Sequence, residues 1–249
     1  MIYIVGYGAM AEAIVQGLLQ KDKEVAVVGR DERKLKNFST KYRIPAYSLD
    51  GFDITDKEIL LAVKPYALKE VAKKLRGRAK TLYSILAGVS LQELHIIEAT
   101  HYVRVMPNIA AAKLASMTAL TGDREVQEKA LELFEAIGET IWLENETKLD
   151  IATAIAGSGP AFLALVAEAI GDGGVACGLS REEAMFLTKG LFKSSAAIME
   201  DNHPALIKDQ VMSPAGTTAA GYGVLEERAV RSAFIQAIQE AYKRAQNAR

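Results

Sequence analysis

An apolar run, Ile2-Tyr3-Ile4-Val5, leads straight into Gly6-Tyr7-Gly8-Ala9-Met10-Ala11 and then into a helical pattern. A strand that feeds a glycine turn and a helix start is the setting the dinucleotide fingerprint G-x-G-x-x-G/A requires. The glycines permit a tight turn and close approach of backbone to a pyrophosphate, and Ala11 lets helix and strand pack closely. The helix N-terminus adds unpaired N–H groups and a favourable dipole. Residues Gly6, Tyr7, Gly8, Ala9 and Met10 are therefore assigned to a cofactor.

The chain around this turn alternates short β-rich runs with helical periodicity, the pattern of a parallel sheet covered on both faces. Strands are expected at 2–5, 24–28, 58–63, 81–85 and 102–106, with a last one at 139–143. Helices are expected at 10–19, 32–41, 66–75, 91–98 and 125–136. The fold class is α/β: an N-terminal Rossmann-type doubly wound parallel sheet over 1–145, then an all-α region over 146–249 for oligomerisation and substrate binding. The boundary is placed at the acidic Glu144-Asn145-Glu146, beyond which no strand pattern survives.

In the second region helices are expected at 147–156, 160–176, 181–199, 205–212 and 226–248. The run from Pro160 to Ile170 is apolar around its circumference and carries one charge, Glu168. Gly157, Pro160, Glu168 and Asp172 interrupt it short of the roughly 20 residues a bilayer needs, so a membrane is not expected as a partner. A helix apolar all round must be buried, and five helices make too small a bundle to bury it alone. A subunit interface, and hence a homo-oligomer, follows.

Thirty basic residues against thirty-one acidic leave a formal charge of -1, which gives nucleic acid no electrostatic footprint. The single cysteine, Cys177, cannot close an intrachain disulfide, and the first residues lack a basic segment and cleavage site. Both fit a cytoplasmic protein. His95, His101 and His203 share no metal-ligand spacing, so no metal is expected, and no G-x-S-x-G elbow supports acyl transfer.

Strand ends on one edge of such a sheet are where a ligand lies. The second strand ends in Val27-Val28-Gly29-Arg30, where an NAD-binding chain carries an acid; Arg30 suits a 2'-phosphate and favours NADPH, with NADH as the alternative. On the other reading Arg30 is a solvated charge, and Asp31 caps the next helix or holds the ribose itself. Leu61-Ala62-Val63-Lys64-Pro65 and Leu86-Ala87-Gly88-Val89 end two further strands. Lys64 is either a cofactor contact or a surface charge. A fourth edge ends in Asn108, which either orients the nicotinamide amide or caps the following turn. Separately, Met212 to Gly221 puts three hydroxyls, two glycines and a proline between helical segments, the composition of a site rather than of packing.

These motifs together resemble the pyrroline-5-carboxylate reductases, NAD(P)H-dependent enzymes that form proline. The resemblance runs nearly end to end: Gly6-x-Gly8-x-Met10-Ala11, Ala62-Val63-Lys64-Pro65, Ala87-Gly88-Val89, Arg104-Val105-Met106-Pro107-Asn108, Gly157-Ser158-Gly159-Pro160-Ala161-Phe162, Asp172-Gly173-Gly174-Val175, and Ser213-Pro214 with Gly216-Thr217-Thr218. It implies reduction of the imine of 1-pyrroline-5-carboxylate to L-proline, by a dimer interlocked through its helical regions and often built into a decamer. It also implies that Ser213 and the backbone of Gly216 and Thr217 hold the substrate carboxylate, that Thr218 hydrogen-bonds the ring nitrogen, and that Ala62, Lys64 and Ala87 line the cofactor. Ala215 stands where the family has a glycine; a positive φ there costs alanine about 1 kcal/mol. Since a loop of the helical region reaches the nicotinamide most naturally across a dimer, Ser213 to Thr218 of one subunit is expected to face the cofactor of the other.

Two rivals remain. A 3-hydroxyacid dehydrogenase of the same layout would carry a catalytic lysine followed four residues later by asparagine, and no lysine occurs between Gly157 and Leu179. A nucleotide-binding homologue without activity would have no use for Thr218 or the glycine turn at 157–161.

Overall fold

The computed structural model describes residues 1–247. The chain runs β1 (Ile2–Val5), α1 (Ala9–Gln20), β2 (Val25–Gly29), α2 (Glu32–Tyr42), β3 (Ala46–Ser48), β4 (Phe52–Asp53) and β5 (Glu58–Leu61). After a 3-10 turn at Pro65–Ala67 come α3 (Leu68–Lys74), β6 (Leu75–Arg76), β7 (Ala79–Ser84), α4 (Leu91–Leu94) and β8 (Ala99–Met106). A second 3-10 turn, Ile109–Lys113, leads to β9 (Ser116–Gly122), α5 (Gln127–Glu135) and β10 (Gly138–Trp142). The remainder is helical: α6 (Glu146–Ala152) with a π turn at Thr153–Gly157, α7 (Gly159–Ala176), α8 (Arg181–Asp201), α9 (Pro204–Val211), α10 (Thr217–Glu227) and α11 (Val230–Gln246).

The main sheet has the order β10-β9-β8-β7-β5-β1-β2-β3, and β4 pairs with β6 beside it. From β1 the chain moves to one edge through β2 and β3, then returns past β1 to build the other side, so the order switches between β1 and β5. Such a switch point opens a crevice at the strand carboxyl ends. Alternate residues feed two cores. Ile2, Ile4, Val25 and Val27 join Ile14 and Leu18 of α1 and Phe134 of α5. Val5, Val28, Ile59 and Leu61 join Leu68 and Val71 of α3 and Leu94 of α4.

The sheet is not uniformly parallel, as expected from sequence, because β9 runs antiparallel to β8. The connection at 107–115 holds only a 3-10 turn and Leu114 at φ 56, and a parallel crossover needs a dozen or more residues. Strands β3 and β9 were not visible in the sequence. The first is a three-residue edge strand, and the second buries hydroxyls in place of an apolar alternation. Ser116 and Thr118 there are satisfied by hydrogen-bonding each other at 2.9 Å.

Two compact units divide at residue 157: Met1–Gly157 together with the chain from Ala241, and Ser158–Glu240. Residues 146–157 thus pack with the sheet although they are helical. Arg104 of β8, its side chain only 2% exposed, reaches Glu146 at 2.8 Å and Asp150 at 3.4 Å, tying α6 to the strand. Glu146 also accepts from the Leu91 N–H at 2.9 Å.

In the second unit α7 and α8 approach through small residues: a Cβ on Gly171 would lie 3.0 Å from Met185 Sδ, and one on Gly174 3.3 Å from Ala184 Cβ. Ser180 and Glu183 form a capping box at the start of α8, and His203 Nδ1 caps α9 with Pro204 in its first turn. Helix α10 corrects the sequence reading, which left 213–225 without a helix. Thr217, Thr218, Gly221 and Gly223 are weak helix formers and masked its pattern. Large apolar side chains stand exposed along these helices, among them Leu165, Phe186, Leu187 and Leu206. The stretch Glu146–Ala176 is by length and composition apolar enough to cross a membrane, yet little of it is buried within the chain.

Candidate active site

The crevice beside β1 is a cavity of about 1010 Å³. Its floor is the turn from β1 to α1. Gly6 adopts φ 125, and a Cβ there would strike the Ala62 carbonyl oxygen at 2.4 Å, so only glycine lets β1 and the end of β5 come together. A Cβ on Gly8 would meet nothing within 4 Å: the space above it is open toward a ligand. Gly8 is the N-cap of α1 and no side chain caps the helix, so the N–H groups of its first turn are left for an anion. This cradle fits the pyrophosphate of a dinucleotide.

Every residue expected to touch cofactor lines this cavity except Asn108: Gly6, Tyr7, Gly8, Ala9, Met10, Arg30, Ala62, Val63, Lys64, Pro65 and Ala87. Tyr7 packs its ring against Gly29, where a Cβ would lie 2.4 Å from Tyr7 Cε1. Lys64 is exposed and makes no ion pair among the described residues. Asn108 takes the capping alternative: its Oδ1 accepts from Ala110 N–H at 3.0 Å and its Nδ2 donates to the Ala156 carbonyl at 3.3 Å. That carbonyl belongs to the π turn, where the regular helical ladder is interrupted. Met106, Pro107 and Ile109 reach the cavity around it.

Lys34, Tyr66 and Glu70 line the cavity together with Arg30. Asp31 is the N-cap of α2, accepting from Lys34 N–H at 2.9 Å, so of the two roles weighed for this acid the structure displays the cap. Arg30 pairs with Glu70 at 3.1 Å. Sequence reasoning missed Lys34, Tyr66 and Glu70. Tyr66 follows the Lys64-Pro65 motif and is 88% exposed, an unusual state for an aromatic; the other two are charges on helical turns that resemble any solvated face.

The hydroxyl-rich segment lies in the second unit. Ser213 accepts the Gly216 N–H through its carbonyl at 3.1 Å, closing a turn with Pro214 and Ala215 at its centre. Ala215 has φ 56, and proline followed by a positive φ marks a type II turn, where glycine is the favoured third residue. Gly216 then caps α10 without a side chain, leaving the N–H groups of Thr217, Thr218 and Ala219 unpaired in the first turn. A Cβ on Gly216 would fall 2.4 Å from Ser213 Oγ. The hydroxyls of Ser213, Thr217 and Thr218 make no hydrogen bond among the described residues. Together they form a helix start without a side-chain cap, flanked by three hydroxyls that have no hydrogen-bond partner among the described residues. No group of histidine, cysteine or acidic side chains suited to a metal ion occurs among the described residues.

A family model described as pyrroline-5-carboxylate reductase dimerisation matches residues 146–248, and one described as NADP oxidoreductase, coenzyme F420-dependent, matches residues 1–88. A pyrroline-5-carboxylate reductase of Helicobacter pylori is 36% identical over 254 residues, covering 98% of each chain. The crystal structure of 1-pyrroline-5-carboxylate reductase from Streptococcus pyogenes superimposes with a TM-score of 0.87 at 32% identity, over 99% of this chain and 98% of the other. That of the Plasmodium falciparum pyrroline carboxylate reductase, with NADP bound, does so with a TM-score of 0.82 at 25% identity, over 99% and 98%.

Proposed function

The chain belongs to the pyrroline-5-carboxylate reductase family, and from that premise we propose how its residues divide the work. The reaction is the NADPH-dependent reduction of 1-pyrroline-5-carboxylate to L-proline, an oxidoreduction at a cyclic imine. NADPH, when bound, supplies the hydride that the imine carbon accepts. The protonated imine, its proton drawn from solvent, is the better acceptor and becomes the secondary amine without a side-chain acid.

The chain therefore has to hold, orient and desolvate. The first turn of α1 and Gly8 would hold the pyrophosphate, Arg30, Ala62, Val63, Lys64, Pro65 and Ala87 would line the rest of the cofactor, and Asn108 shapes the turn after β8. Ser213 Oγ and the Thr217 N–H receive the substrate carboxylate, while the Gly216 N–H, given to the Ser213 carbonyl at 3.1 Å, closes the turn that brings them together. The Thr218 hydroxyl hydrogen-bonds the ring nitrogen. The observation that carries this assignment is the turn and start of α10, where no side chain caps Gly216 and three hydroxyls make no hydrogen bond among the described residues.

The protein works as a homodimer through its helical region, 146–249, of which the dimerisation model matches 146–248, with 1–145 as the cofactor-binding region. A second subunit, rather than lipid, covers the exposed apolar side chains of α7 and α8. The cradle of one subunit serves the cofactor of its partner, dimers associate further into a decamer, and the enzyme is cytoplasmic. Kinetics test the division of roles. Ser213→Ala should raise KM for the pyrroline about tenfold with a smaller change in kcat, the loss of one hydrogen bond to a charged group. Thr218→Val should lower kcat; an unimpaired Thr218→Val would remove the nitrogen contact from the account.

A further inference from the structure

Arg30 and Glu70 meet in the lining of the cavity beside β1. One guanidinium nitrogen, Nη1, lies 3.1 Å from Oε1 and 3.2 Å from Oε2 of Glu70, and the side chains are 65% and 51% exposed. The contact uses a single nitrogen of the fork, so Arg30 keeps other donors for a second anion, and a pair this exposed is weakly held. Lys34, one helical turn beyond Arg30, lines the same cavity. The acid at the end of β2 itself, Asp31, already accepts from Lys34 N–H as the cap of α2. The carboxylate that faces Arg30 thus comes from α3, on the other side of the switch point.

We propose that Glu70 sets the cofactor preference of this enzyme by competing with the 2'-phosphate for Arg30. With a 2'-phosphorylated dinucleotide, the guanidinium exchanges the Glu70 carboxylate for the phosphate, and Lys34 adds a second positive charge. With an unphosphorylated one the Arg30–Glu70 pair stays closed, and Glu70 accepts from the ribose hydroxyls as an acid at a strand end does in NAD-binding folds. One site then accepts both dinucleotides, and Glu70 opposes the phosphate by charge while supporting the free ribose. This rests on the cofactor reading above.

The test is calorimetric binding of NADP+, NAD+, 2',5'-ADP and 5'-AMP to the full protein, wild type and Glu70→Gln, without substrate, with kinetics for NADPH and NADH beside it. Glu70→Gln should bind NADP+ and 2',5'-ADP about two- to fivefold more tightly and NAD+ and 5'-AMP more weakly by a similar factor, the scale of an exposed ion pair. Glu70→Asp, which keeps the charge on a shorter arm, should fall between, and thermal melting checks that both variants fold. A change of twofold or more in the ratio of NADP+ to NAD+ affinity, in that direction, supports the role. A smaller change, or one in the other direction, overturns it. If the wild type bound neither dinucleotide, the cofactor assignment would fall, and this inference with it.

Discussion

Replacing Ala215 by glycine should stabilise the protein, although it removes a methyl group and adds chain freedom. Ala215 sits at φ 56 in the turn before α10. A left-handed conformation costs an L-residue with a Cβ roughly 1–2 kcal/mol, which glycine does not bear. Against this, glycine gains about 0.4–1 kcal/mol of conformational freedom in the unfolded chain. The net is a stabilisation of about 0.5–1 kcal/mol, or roughly 1–4 °C in Tm for a chain of this size. Ala215 is exposed, so no packing is lost. Urea titration at fixed protein concentration measures the difference, since association shifts apparent stability. Ala215→Val provides the opposite sign, because a β-branched residue resists positive φ more strongly. If Ala215→Gly destabilised by about 0.5 kcal/mol or more, with Ala215→Val neutral, the positive φ at this position would be wrong, and with it the turn that aims Ser213 at the helix start.

Arg104→Met breaks a buried charge pair that joins α6 to the sheet, and should cost about 3–5 kcal/mol in urea titration. Stability should also fall in acid. Lys41 and then Tyr42 donate to Glu12 and hold its carboxyl below its ordinary value of 4.5, while the N–H and hydroxyl of Ser90 do the same for Glu93. A folded-state value below the unfolded one gives stability that is complete above about pH 4.5 and is lost as pH drops through the folded value. Tm should thus decline below pH 4.5 and less steeply in Glu12→Gln; an unchanged slope would remove Glu12 from the explanation. Light scattering should find no monomer for the wild type, and Leu165→Glu with Phe186→Glu should produce one, because both side chains stand exposed on α7 and α8.

What the sequence revealed follows from how local each signal is. The turn Gly6 to Ala11 was legible because strand, turn and helix are contiguous, and the cavity forms where that contiguity predicts. The edge segments at Ala62 to Pro65 and at Ala87 were legible because a doubly wound fold brings strand ends to one line. Glu70 was not, since its meeting with Arg30 joins residues forty positions apart and depends on how α3 seats against the sheet. Strand β9 escaped because its buried hydroxyls satisfy one another, so no apolar alternation was needed. The free N–H groups of the turn at Ser213 to Thr218 were legible from its place between helical segments, but the helix that begins at Thr217 was not, because threonine and glycine argue against helix. The positive φ of Ala215 was foreseen as a condition from the family glycine, and only the backbone supplies it.

As a pyrroline-5-carboxylate reductase this chain transfers hydride from NADPH to the imine of pyrroline-5-carboxylate. Following NADPH oxidation and L-proline formation together, on the purified protein, tests it most directly. One L-proline should form per NADPH oxidised, with no turnover of a panel of 3-hydroxyacids and NADP+, and kcat should fall at least about tenfold in Thr218→Val, the scale of one hydrogen bond made as charge changes at the nitrogen. Absence of proline, or equal turnover with a 3-hydroxyacid, would contradict it.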